Sequence, residues 1–175
     1  MTQAQSASST GPNQAGANTA SEGKITRIDF AFGAPHRLRT ACQVAYKHYL
    51  AGRSLLVYSS QAETLQRFDR LLWSFEATAF VPHAYAPDAE TAEVPVVLCS
   101  TPPLSEATRL FPRMPWLINL DDNCPPDFAQ FDRILEIVSA QPEDRNTARE
   151  RWRQYAGAGL TLKAHDLTAS TKSRS

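Results

Sequence analysis

Ile28-Asp29-Phe30-Ala31-Phe32-Gly33-Ala34-Pro35 and Leu55-Leu56-Val57-Tyr58, joined by the stretch from His36 to Leu50, decide the fold. Ile28, Phe30 and Phe32 alternate with smaller or polar residues, the period of a strand, and Gly33-Ala34-Pro35 ends it. Leu38, Cys42, Ala45, Tyr46 and Tyr49 recur at helical spacing, and Gly52 stands where a glycine closes a helix. Leu55 to Tyr58 is a nearly continuous apolar run, the pattern of a strand covered on both faces. A strand, a helix and a buried strand in this order form a parallel crossover unit.

Working outward, a second helix is expected from about Gln61 to Trp73, capped by Ser59 or Ser60, with Ala62, Leu65, Phe68, Leu72 and Trp73 as its stripe. Ser74 to Pro87 shows no period but carries Phe75, Phe80, Val81 and Tyr85, so it has to pack on something. Val94-Pro95-Val96-Val97-Leu98-Cys99 reads as a strand with the proline at its start, and Pro102-Pro103-Leu104 as a break. Trp116 to Leu120 and Arg133 to Val138 read as two more strands. Pro142 to about Ala156 reads as a helix ending at Gly157-Ala158-Gly159, and Leu160-Thr161-Leu162 as a return to the sheet. The expected fold is α/β: a single-domain, Rossmann-like open sheet, mostly parallel and flanked by helices, without a nucleotide-binding loop. The domain spans 24–167. Residues 1–23, rich in Ser, Thr, Ala, Gln, Asn and Gly, form an expected disordered N-terminal tail, and 168–175 an expected flexible C-terminal one.

Composition narrows the function. In 175 residues, 18 basic side chains balance 18 acidic ones, so electrostatic recognition has to be local. Cys42, Cys99 and Cys124 are widely spaced and contain no C-x-x-C, which indicates neither a disulfide framework nor a zinc site. No apolar run is long enough to span a membrane and no secretory signal is present, so a soluble, cytoplasmic chain is expected.

An open α/β sheet invites a nucleotide hypothesis, but neither G-x-G-x-x-G nor G-x-x-x-x-G-K-[ST] occurs. The turn Phe32-Gly33-Ala34-Pro35-His36 cannot present the row of backbone N–H groups that cradles a pyrophosphate. Asp121-Asp122, after a strand, could hold Mg²⁺ for phosphoryl transfer, or could be an acidic turn before Asn123. His36, His48, His83 and His165 show no ligand spacing; His83, in an apolar segment, reads as a hydrogen-bonded structural side chain. No cofactor is called for.

The C-terminal helix is more informative. Arg145, Arg149 and Trp152/Arg153 share a face at three-, four- and seven-residue spacing, a basic stripe with an aromatic in it. Such a stripe suits an acidic partner with an apolar anchor and a free carboxylate, since guanidinium forks pair with carboxylates and Trp152 offers a flat wall and a cation–π surface. The same pattern also fits a solvated helix with Trp152 and Tyr155 packed on the sheet, or a direct nucleic-acid contact. Arg151 falls on the opposite side and is expected to be solvated.

Three blocks resemble a known family, the chi subunit of bacterial DNA polymerase III: Phe68 to Trp73 leading into Phe80-Val81-Pro82-His83, the Trp116 to Leu120 strand, and Ala148 to Gly157. The resemblance runs from about Lys24 to Asp166. It implies a non-catalytic accessory subunit that links the clamp loader, through the psi subunit, to the acidic, phenylalanine-ended tail of single-stranded DNA-binding protein. By position it places tail binding on Arg145, Arg149, Trp152 and Arg153, with Val138 as an apolar wall. It places the surface for psi, or for a helicase competing with it, at Trp73 and Phe80. Trp152 stands where the family usually has tyrosine, and Arg145 and Arg153 where it has lysine; charge and stacking are kept.

Overall fold

The computed structural model describes residues 26–89 and 94–171. The expected tail over 1–23 therefore lies outside the described residues. Seven strands form one sheet: β1 (Arg27–Ala34), β2 (Leu55–Tyr58), β3 (His83–Tyr85), β4 (Val96–Cys99), β5 (Trp116–Asn119), β6 (Arg133–Ser139) and β7 (Thr161–Asp166), in the spatial order β3-β4-β2-β5-β6-β1-β7. Every pairing is parallel. The expected "mostly parallel" sheet is parallel throughout: helices make most of the crossovers, and longer loops return β3 to β4 and β5 to β6.

Among the described residues five α-helices complete the fold, α1 (Arg37–Leu50), α2 (Ala62–Ser74), α3 (Pro103–Leu110), α4 (Pro142–Gly157) and the single turn α5 (Thr168–Thr171), with a short 3-10 turn at Phe128–Gln130. Alternate strand residues feed two cores. On one face Leu55, Val57, Leu98, Ile118, Leu135 and Ile137 meet α1 and α2; on the other Ile28, Phe30, Leu56, Leu117, Ile134 and Val138 meet α3 and α4. Leu55, Leu56 and Val57 are fully buried, as their continuous run predicted; each contributes roughly 1.5–3 kcal/mol by leaving water.

Several expectations change. Pro102-Pro103 starts α3 instead of breaking the chain, because a proline without an N–H fits a first helical turn. The apolar load after Ser74 divides: Phe75 and Val81 are buried, Tyr85 lies in the short strand β3, whose three residues are too few to show a period, and Phe80 stays on the surface. Neither Ser59 nor Ser60 is the N-cap of α2; that position is Gln61, and Ser59 Oγ accepts from the Gln61 N–H. The chain also continues past 167 into α5, against which Gly33 packs: its φ is +78° and an added Cβ would stand 2.6 Å from Thr168 Cγ2.

Adjacent strands β1 and β6 send α1 and α4 to opposite faces, so their carboxyl ends flank the crevice where open α/β sheets bind ligands. Here that crevice holds the chain's own charged side chains. Arg37 donates to the carbonyls of Ile137 (2.9 Å) and Asp121 (3.1 Å), and its guanidinium lies 3.7 Å from both Asp122 and Asp144. Asp144 in turn accepts from the Ser139 N–H at 2.6 Å. The carboxylates at the start of α4 take the favourable positions that a phosphate would need.

Candidate functional site: an apolar hollow under a basic helix

Helix α4 is built to sit firmly on the sheet. Pro142 opens it, Glu143 and Asp144 complement its first turn, and Gly159 (φ +76°) closes it with the hydrogen bonds Gly159 N to Ala156 O and Leu160 N to Tyr155 O. Its sheet-facing strip is Ala148, Arg151 and Tyr155.

Arg151 corrects the sequence reading. It is not on a solvated side but 1% exposed, and its Nε donates to Glu136 at 3.0 Å. Positions 148, 151 and 155 share one side of a helix, which turns Arg151 inward beside two core residues. Glu136, itself fully buried on β6, also accepts from Tyr155 Oη (2.7 Å) and Asn119 Nδ2 (2.9 Å). Burial pushes the Glu136 carboxyl above its ordinary range, with the Arg151 charge and the Asn119 and Tyr155 hydrogen bonds opposing the rise. Burial also pushes the Tyr155 hydroxyl up, reinforced by the Glu136 charge.

Beside this anchor the helix overhangs a hollow of about 190 Å³, lined by Phe30, Phe32, Val138, Ala148, Trp152 and Ala164, with Arg145 and Arg149 at its rim. Trp152, half-buried, packs on Phe30 at 4.9 Å between ring centroids. Phe32 is 39% exposed and forms the open floor. The hollow is smaller than the roughly 300–1,000 Å³ of ordinary small-molecule sites and suits one apolar side chain. Among the described residues neither Arg145 nor Arg149 is ion-paired; Arg149 reaches only the Asn146 side chain, at 3.2 Å.

The structure thus brings Arg145, Arg149, Trp152 and Val138 together. Arg153 stays outside the hollow, 70% exposed and ion-paired with Glu150. Among the described residues the cation–π contacts also lie elsewhere, around Trp116 and not Trp152. Phe30, Phe32, Ala148 and Ala164 were missed. The alternation of β1 marks Phe30 and Phe32 as one face, but only the position of α4 leaves them half-roofed.

Trp73 and Phe80 meet at 5.5 Å and are 58% and 59% exposed, an apolar surface pair at the end of α2. His83 supports them: its ring lies 5.0 Å from Trp73, while Nδ1 and Nε2 contact Val81 O and Asp69, both at 2.7 Å. The structural role expected of His83 holds.

Asp121 is 4% exposed, and its carboxylate accepts from the N–H groups of Ser60 (2.6 Å) and Asn123 (3.1 Å). Burial alone would raise its pKa, but hydrogen bonding from the Ser60 side chain and from the N–H groups of Ser60, Asn123 and Asp122 holds it below the usual value. It closes a turn. Asp122 points outward toward Arg37. The Mg²⁺ phosphoryl-transfer reading therefore has no support in this pair.

Residues 25–163 match the family described as DNA polymerase III chi subunit, HolC. The chain belongs to the DNA polymerase III chi subunit family. A chi subunit from Pseudomonas aeruginosa is 33% identical over 147 residues, covering 82% of this chain and 98% of the relative. That of Escherichia coli K12 is 26% identical, covering 69% and 79%, and that of Haemophilus influenzae 27%, covering 73% and 85%. The three blocks that suggested the chi family all lie within the matched span, and the α4 hollow and the Trp73–Phe80 pair both belong to this chi-like domain.

Proposed function

We propose that this chi-family chain is a non-catalytic cytoplasmic adaptor of the DNA polymerase III holoenzyme. It tethers the clamp loader to the acidic C-terminal tail of single-stranded DNA-binding protein. The observation that carries the reading is the hollow beneath α4: an apolar seat for one side chain, rimmed by two arginines that lack ion pairs among the described residues. A tail ending in phenylalanine would place its ring against Trp152, Phe32 and Val138, and its terminal and side-chain carboxylates on Arg145 and Arg149. Arg153 would add attraction at longer range. The exposed Trp73–Phe80 pair offers the second half of a tether, a surface for psi or for a helicase competing with it.

Titration with a peptide ending in Asp-Ile-Pro-Phe, at two salt concentrations, tests this. Micromolar binding that weakens with salt is expected, with a loss of about ten-fold or more in Arg149→Ala and in Trp152→Ala. Arg153→Ala should change affinity by only a small factor. Unchanged binding in both Arg149→Ala and Trp152→Ala would refute the site.

A further inference from the structure

The N-terminal ends of four neighbouring strands, on the α1 side and away from the α4 hollow, carry a row of three arginines with a tryptophan among them. Arg53 lies two residues before β2, Trp116 opens β5, Arg133 opens β6 and Arg27 opens β1. The register aligns them, with Leu55 opposite Trp116, Leu117 opposite Ile134 and Arg27 opposite Arg133. Three strand spacings put the row at about 15 Å.

Trp116 orders the row. The Arg133 guanidinium lies 4.1 Å and that of Arg53 4.7 Å from its ring, and the His48 ring stands 5.0 Å away. A cleft of about 230 Å³ at the same end is lined by Arg53, Arg113, Met114 and Trp116. Among the described residues Arg53 and Arg113 make no ion pair. Among the described residues the carboxylates nearby are Asp29, which accepts from Arg27, Arg133 and His165, and Asp132, next to Arg133 in the chain. Lys163, opposite Asp29 in the β1–β7 register, and Lys47 on the last turn of α1 add further positive charge. Among the described residues, cations thus outnumber carboxylates at this end of the sheet, in a chain with no net charge. His48 feels them: burial, and then the charges of Arg133, Lys47 and Arg53, hold its imidazole below the usual pKa.

The geometry points to a second binding surface here, for the phosphate backbone of single-stranded nucleic acid, with Arg53 and Arg113 as the principal contacts. Guanidinium forks match phosphate oxygens, and Arg53 is pre-ordered by its tryptophan. A row suits an extended chain of repeated anions, whereas one isolated phosphate would need only the Arg53–Arg113 cleft. An acidic peptide is the poorer match, since the row lacks an apolar hollow like that under α4. The inference does not rest on the tail-binding reading, because the two surfaces share no residue.

The test is fluorescence anisotropy of labelled oligothymidylate with the full chain over a salt series. Binding at low salt should fall with rising salt. The double variant Arg53→Ala/Arg113→Ala should bind about ten-fold more weakly, with a log–log salt slope shallower by about 1.4, at about 0.7 per lost phosphate contact. Its melting temperature should stay near that of the parent, and Arg53→Lys/Arg113→Lys should keep most of the slope. The inference is overturned if the parent fails to bind the oligonucleotide, or if the alanine variant keeps both affinity and slope. Capture of inorganic phosphate or a phosphopeptide without the oligonucleotide would overturn it as well.

Discussion

Replacing Arg151 with alanine tests whether the buried pair beneath α4 anchors the helix. The variant leaves Glu136, fully buried on β6, facing a hole where its counter-charge was, with only the Asn119 and Tyr155 hydrogen bonds remaining. Breaking a buried pair from one side costs about 3–5 kcal/mol, since a charge is left uncompensated in a poorly polarisable surrounding. At about 2–4 °C per kcal/mol for a domain of this size, melting should fall by about 6–20 °C at neutral pH. The pH dependence carries a distinct signature. The Glu136 pKa is already raised in the folded state above its reference of 4.5, and removing Arg151 raises it further. The folded state then binds a proton that the unfolded state releases, so the variant gains stability relative to the parent as pH falls toward 4.5. Arg151→Met/Glu136→Gln, which removes both charges, fills most of the space and keeps an acceptor for Asn119 and Tyr155, should recover much of the loss. The assay is thermal and urea unfolding of the three proteins between pH 4.5 and 8. A loss below about 1 kcal/mol for Arg151→Ala, with no pH dependence, would place the pair with weak surface ion pairs and refute the reasoning.

Three further outcomes follow from the same geometry. Asp121→Asn should destabilise the protein at neutral pH. The lowered pKa of Asp121 makes its contribution fully present above the unfolded value near 3.8 and lost as pH falls through the folded value, so the two melting curves should converge in acid; a constant gap would count against it. Gly33→Ala should cost about 1 kcal/mol or more, because a Cβ is strained at φ +78° and meets Thr168 Cγ2, and unfolding in urea reads this directly. Burial pushes the thiols of Cys42 and Cys99 up to about 12 and that of Cys124 to about 11; iodoacetamide at pH 8 should therefore label the native chain far more slowly than the urea-unfolded one.

Much was legible in the chain because it depended on local period. The buried runs at Leu55 to Tyr58 and Val96 to Cys99 announced strands covered on both sides, and the spacing of Arg145, Arg149 and Trp152 placed them on one stripe of a helix. The turn role of Asp121 was among the readings its neighbours allowed, and the hydrogen bonds chose it. What local period could not supply was the facing partner. Arg151 lies on the same helix as the stripe and has the same chemistry, yet Glu136 sits beneath it, whereas among the described residues no carboxylate pairs with Arg149; only the packing of α4 on β6 separates a structural arginine from an available one. The hollow itself joins β1, β6, β7 and α4, so its floor at Phe30 and Phe32 exists only once strands distant in sequence become neighbours. Sequence alone determined the alternation of elements and the chemistry along the α4 stripe, since both follow from spacing along one backbone. Tertiary structure decided which charges are buried, which aromatic faces stay open and how the basic strand ends line up, since burial and register belong to pairs of elements and not to any one of them.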